Sequence, residues 1–129
     1  MIAASPLLYD ARLTASTYGG FFAPLTCEPV STYYGFFAYG QLYALGSQAQ
    51  CSITDRQDGL YALAATDGEK KATMIVNFSE ECSAITLNAD DGMTVYIIDG
   101  ENLLTPTDID AKNFTLKANQ IALVTNYKL

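Results

Sequence analysis

The chemistry open to this chain is limited by its side chains before any fold is considered. Among 129 residues there are fourteen Asp and Glu, seven Lys and Arg, and no histidine. Without an imidazole there is no Ser-His-Asp or Cys-His nucleophilic system and no histidine metal ligand. Cys27, Cys51 and Cys82 sit far apart with no C-x-x-C spacing. One disulfide with a free thiol fits that count, and so do three reduced, half-buried thiols, which are the expectation here. Cys82 follows Glu80 and Glu81, and acidic neighbours do not activate a thiolate.

The carboxylates are the remaining source of chemistry. Asp90, Asp91, Asp99, Asp108 and Asp110 are of the type that gathers round Ca²⁺, but they lack the D-x-D-x-D-G spacing of a calcium loop. Solvated turn carboxylates are the simpler reading, and no metal or other cofactor is expected. Asn77-Phe78-Ser79 and Asn113-Phe114-Thr115 match the glycosylation sequon, which matters only in a eukaryotic secretory path. Nothing resembles a phosphate-cradling glycine loop. The formal charge of −7 and the absence of a basic cluster beyond Lys70-Lys71 disfavour nucleic acid and anionic membrane surfaces as partners.

Positioning such residues requires elements, and the most distinctive lies at Ser31 to Gly46, STYYGFFAYGQLYALG. At ~100° per residue, Tyr33, Tyr34, Phe36, Phe37, Tyr39, Leu42, Tyr43 and Leu45 fall all round a helical wheel. A helix apolar on every side must be enclosed. Ser31 is the N-cap candidate, two residues after Pro29, and Gly46 occupies the C′ position. At ~24 Å the segment approaches a membrane span, but its repeated Tyr hydroxyls with Gly35 and Gly40 argue against lipid. The expectation is a helix clasped between two layers of protein.

Before it, Leu7 to Tyr9 reads as a short strand ending at Asp10, and Thr14 to Pro29 reads as an irregular loop through Gly19-Gly20 and Pro24. Tyr18, Phe21 and Phe22 on that loop either stack against a sugar or partner or tuck under the helix. Met1 to Leu8 lacks the charged and apolar regions of a signal peptide, which favours the cytoplasm but leaves location otherwise open.

After Gly46 the periodicity changes from helical to two-residue. Strands are expected at Cys51 to Thr54, Gly59 to Thr66, Ala72 to Phe78, Ala84 to Asn88, Met93 to Ile98, Phe114 to Leu116 and Ile121 to Thr125, with a weaker one at Leu103-Leu104. In the clearest of them, Ala72, Met74, Val76 and Phe78 point inward while Thr73, Ile75 and Asn77 point outward. Asp58-Gly59, Asp67-Gly68, Asp91-Gly92 and Asp99-Gly100 are turn signals between them. The fold class expected is mainly β: an antiparallel β-sandwich of about seven or eight short strands, preceded by one long apolar helix. Residues 1–48 would pack on a sandwich domain spanning 49–129.

The order LLYDAR, PLTCEP, YYGFFAYGQLYALG and GLYALAATDGEKKATMIVNFSEE resembles the carboxyl-terminal end of (β/α)8 glycoside hydrolases, particularly the β-xylosidase-like family 39 and its relatives. The resemblance implies that Leu7 to Asp10 is like the last barrel strand, that Thr32 to Leu45 is like the last barrel helix, and that a β-sandwich follows. Family members carry their acid/base and nucleophile carboxylates on earlier barrel strands, so no residue here matches a catalytic position. Retaining hydrolysis needs two carboxyls ~5 Å apart on a rigid scaffold, which one strand and one helix do not supply. Asp10 and Glu28 are therefore not assigned catalysis, and Glu28 is read as favourable to the helix dipole.

The leading expectation is a non-catalytic domain that buttresses the catalytic barrel of a glycoside hydrolase. Tyr33, Tyr34, Phe36 and Phe37 are the interface candidates, toward that barrel or toward a second copy in a homo-oligomer. The alternative is a carbohydrate-binding module, with Tyr18, Phe21, Phe22, Tyr61 or Tyr96 in a coplanar stacking platform. A free-standing enzyme is disfavoured by the missing histidine and the short chain.

Overall fold

The computed structural model describes residues 22–23, 26–55 and 57–129. Runs of Val, Ile, Thr and Ala punctuated by turn residues form eight strands among them. These are β1 (Ser47–Ala49), β2 (Leu60–Thr66), β3 (Lys71–Asn77), β4 (Ser83–Thr86), β5 (Thr94–Ile98), β6 (Leu103–Thr107), β7 (Asn113–Leu116) and β8 (Gln120–Thr125). One described helix, α1 (Ser31–Leu45), precedes them. Six strands form a sheet in the order β1-β2-β3-β8-β5-β6, while β4 and β7 pair as a separate ribbon. All pairings are antiparallel, and the larger sheet does not close into a barrel.

The sheet is covered on both faces, and this decides which residues are buried. On one face Ala72, Met74 and Val76 of β3 join Ile121 and Leu123 of β8, Tyr96 and Ile98 of β5, and Ala38, Leu42 and Leu45 of α1. On the other face Ile75, Val95, Ile97, Ala122 and Val124 join Ile85 of β4 with Phe114 and Leu116 of β7. The central strand β8 is buried at all six positions. An outward face for Thr73, Ile75 and Asn77 is therefore corrected: Ile75 and Asn77 lie under the ribbon, and Thr73 is half-buried. Phe78, expected inward, is 53% exposed because β3 ends at Asn77 and the chain turns away.

Local chemistry explains most of the turns. Gly59, Gly68 and Gly92 have φ of 85°, 105° and 79°, in the region that glycine enters at little cost. At Gly59 a Cβ would also stand 2.8 Å from the Phe78 carbonyl oxygen, so the close approach of the two backbones demands glycine. Gly100 does not have a positive φ; there the Asp99 carboxylate accepts from the backbone N–H groups of Glu101 and Asn102, at 2.8 and 2.6 Å. Between Ile97 and Ile98 the β5–β6 register shifts, and Leu104 opposite takes φ of 61° and packs its side chain toward the helix-side core.

The helix starts one residue earlier than a Ser31 cap requires. Val30 occupies the N-cap position without a side-chain bond, and Ser31 is the first helical residue. Gly46 ends the helix with φ of 82°, its N–H donating to the Tyr43 carbonyl at 3.1 Å, and the chain passes directly into β1. That reversal places the edge strand at Ser47–Ala49, not at Cys51 to Thr54. The helix buries Gly35, Ala38, Leu42 and Leu45, a narrow stripe rich in small residues on which it lies close to the sheet. Enclosure on every side is not what the described residues show: Phe37 is 36% exposed and Tyr43 79%. The expected half-buried thiols are likewise corrected, since Cys27, Cys51 and Cys82 are all free and exposed in loops.

Candidate functional site

The N-terminal half of α1 carries the most unusual surface, running from the exposed Phe37 round to Tyr34, which packs on the helix-side core. Tyr33 and Phe37 are four residues apart, and Tyr34 and Phe37 three apart, so their rings share a face. The Phe22 ring lies 5.6 Å from that of Tyr33 at 44°. Tyr33 in turn meets Tyr34 edge-on at 5.3 Å and 90°, and Phe37 at 6.4 Å and 30°. Phe22 is brought there by a short return of the chain in which it bridges Pro29, with the Ala23 N–H donating to the Glu28 carbonyl at 2.8 Å. Phe22 is 48% exposed. Four aromatic rings thus cluster at the N-terminal half of the helix.

Beside the C-terminal half runs a groove of about 410 Å³ lined by Tyr39, Leu42, Tyr43, Gly46, Gln48, Leu63 and Ala64. Tyr39 rests on the helix-side core next to Leu63, whereas Tyr43, four residues on, stands nearly free. A second cavity of about 330 Å³ is lined by residues 51–55 and Gln57, with Ile75, Ile85 and Leu87. The Ser83 hydroxyl at its side donates to Gln57 Oε1 at 2.6 Å.

Asp90, Asp91, Asp99 and Asp110 are engaged separately, in turns or surface pairs. Asp90 pairs with Lys71 at 2.6 Å, and Asp91 pairs with Lys112, whose ammonium holds the Asp91 pKa below its ordinary value. The Asp110 carboxylate accepts from the Lys112 N–H at 3.0 Å. Asp99 accepts from Gln120 Nε2 at 2.7 Å and from Asn102 Nδ2. Burial alone pushes the Asp99 pKa up, but the donors on Asn102, Gln120 and Glu101 together bring it down to about 2. Among the described residues no three His, Cys, Asp or Glu side chains come together as metal ligands. The Glu28 carboxylate accepts from Thr26 Oγ1 at 3.4 Å and lies outside the first turn of α1, which holds no acidic residue. No described helix is long and apolar enough to cross a membrane.

Of the residues singled out from sequence, Tyr18, Phe21 and Asp10 lie outside the described residues. Phe22, Tyr33, Tyr34 and Phe37 are brought together, while Phe36, and Tyr34 from within the cluster, pack against the helix-side core. Tyr96 is 7% exposed and Tyr61 is half-buried on that same core, so neither belongs to an exposed platform. The cluster also lacks the coplanarity of a stacking platform, since its rings meet at 44°, 90° and 30°. Sequence reasoning missed the Tyr39–Tyr43–Gln48 groove; its signal was a tyrosine pair four apart followed by a helix-ending glycine and an edge strand.

No protein-family model matches the sequence, and no curated protein matches it. Solved structures do share its fold. A GH30 endoxylanase from Clostridium papyrosolvens C71 superposes with a TM-score of 0.66 at 13% identity, over 92% of this chain and 37% of the xylanase. A glycoside hydrolase family 30 subfamily 8 xylanase from Clostridium acetobutylicum gives 0.66 at 14% identity, over 97% of this chain and 40% of that one. A conserved exported protein from Bacteroides fragilis gives 0.54 at 23% identity, over 60% of this chain and 18% of its own. At these identities the likeness is one of fold, and the chain spans about two fifths or less of each structure's length.

Proposed function

We propose that this chain is a non-catalytic, carboxyl-terminal β domain of a glycoside hydrolase, whose role is to buttress a catalytic barrel. The observation that carries the reading is the superposition of nearly the whole chain on about two fifths of two family 30 xylanases. In this reading the six-stranded sheet and its ribbon are a small β-sandwich occupying 49–129, and residues 1–48 are the last strand, loop and helix of the barrel. The aromatic cluster of Phe22, Tyr33, Tyr34 and Phe37 is then the surface on which neighbouring barrel helices sit. The parent enzyme belongs to family 30 or to a relative such as the family 39 group. In the absence of a barrel the same surface supports self-association.

The test is enzymatic and genetic together. The purified chain should cleave no aryl glycoside of xylose, glucose, galactose or arabinose above a buffer blank, and the coding sequence upstream of Met1 should specify barrel strands bearing two carboxylates. Turnover that survives purification and is abolished by changing one Asp or Glu of this chain would overturn the reading.

A further inference from the structure

We propose that the groove between the C-terminal half of α1 and the β1–β2 edge is a binding site for a neutral saccharide. Three features of the groove point to that chemistry. Its walls are the rings of Tyr39 and Tyr43, one fixed by the core and one 79% exposed, and the C–H faces of a sugar ring pack on such surfaces. Its polar groups are two phenolic hydroxyls and the Gln48 carboxamide, which both donate and accept. Among the described residues none of these three side chains has a hydrogen-bond partner, so all are available to sugar hydroxyls.

The same features exclude other small ligands. No charged side chain lines the groove, and the chain carries a net charge of −7, which leaves an anion without a counter-charge. A cation would find no carboxylate among the lining residues. A wholly apolar ligand would cover the tyrosine hydroxyls and the Gln48 amide without pairing them, which costs their hydration. A volume of about 410 Å³ is at the small end of ligand sites and suits the end of an oligosaccharide, not the middle of a long chain. The open end at Gly46, where among the described residues no atom beyond its immediate chain neighbours lies within 4 Å of where a Cβ would be, leaves room for the rest of such a ligand to run out. The proposal goes beyond the buttress reading and stands on different residues.

The experiment is a titration of the intact 14.0 kDa chain with xylotriose, cellotriose and maltotriose, followed by backbone amide chemical shifts. At least one sugar should produce saturable shifts at Gly46, Gln48, Leu63 and Ala64, with a dissociation constant on the order of millimolar. Tyr43→Ala should weaken that binding about tenfold and Gln48→Ala several-fold, while both leave the urea midpoint unchanged because the two side chains are exposed. Two results overturn the proposal: no saturable shift at those amides with any of the three sugars up to about 20 mM, or binding that Tyr43→Ala leaves intact. Neither result bears on the aryl-glycoside test, so failure of one reading is distinguishable from failure of the other.

Discussion

The Asn77 side-chain nitrogen donates to the Leu116 carbonyl at 3.0 Å, tying the end of β3 in the larger sheet to the end of β7 in the ribbon. The same NH₂ reaches the Glu81 carbonyl at 2.8 Å and the Lys117 carbonyl at 3.1 Å, while Oδ1 accepts from the Ser79 N–H and hydroxyl at 3.1 and 2.7 Å. Asn77 is 0% exposed, so a residue matching a glycosylation sequon is instead a buried clasp with its amide fully used.

Asn77→Ala removes both ends of that clasp, taking a donor from the buried Leu116 carbonyl and an acceptor from Ser79, while the Glu81 and Lys117 carbonyls keep the Ser79 hydroxyl and the Gln120 N–H. A loss of about 2 to 4 kcal/mol is expected, from the lost buried hydrogen bonds and the vacated volume. Urea unfolding measures it, and a cost within about 0.5 kcal/mol of zero would show that water replaces the clasp freely.

Because β3 is covered on both faces, charge should be poorly tolerated on either. Val76→Asp and Ile75→Asp should each cost about 4 kcal/mol or more, since both side chains are 3% exposed and neither has a basic neighbour in its core cluster. Thr73→Asp, at a half-buried position of the same strand, should cost clearly less. Equal urea midpoints for Ile75→Asp and Thr73→Asp would contradict the burial of Ile75 beneath the ribbon.

Asp99 makes stability depend on acid. Its folded pKa of about 2 lies below the ordinary 3.8, so its contribution is full above the unfolded value and is lost as pH falls through the folded one. With solvent screening of a partly exposed group allowed for, the contribution is about 1 kcal/mol. The wild-type chain should therefore exceed Asp99→Asn in stability at pH 6, and the margin should vanish between about pH 4 and pH 2. Thermal midpoints of both proteins across that range test the sign, and a margin independent of pH would remove Asp99 from the account.

The aromatic cluster on α1 should govern association in solution. Phe22 and Phe37 with the flanking tyrosines expose on the order of 300 Å² per copy, less than half the ~800 Å² that each partner buries in a stable dimer. Self-association is accordingly expected to be weak, visible in sedimentation as a concentration-dependent shift around ~100 μM. Phe37→Glu should abolish it without unfolding the chain. A monomer that persists to about 1 mM would show that this face needs no cover.

Much of this architecture is local, and for that reason it was legible in the sequence. Gly46 ends the helix because only a residue without a side chain enters that conformation cheaply, and Gly59, Gly68 and Gly92 reverse the chain by the same rule. Strands β2, β3, β5, β7 and β8 fall within a residue or two of where two-residue periodicity put them. Periodicity reports that neighbours alternate; it does not report what lies over each face. The ribbon that buries Ile75 and Asn77 comes from residues 83–86 and 113–116, paired with each other across the sequence, and nothing within β3 encodes its arrival. The helix shows the same division. Its composition is apolar all round, so no stripe in the sequence marks a buried side. The fit of Gly35, Ala38 and Leu42 against the sheet chose the inward stripe, because small residues allow the closest approach; that choice left the cluster at Phe37 and the groove at Tyr43 facing out.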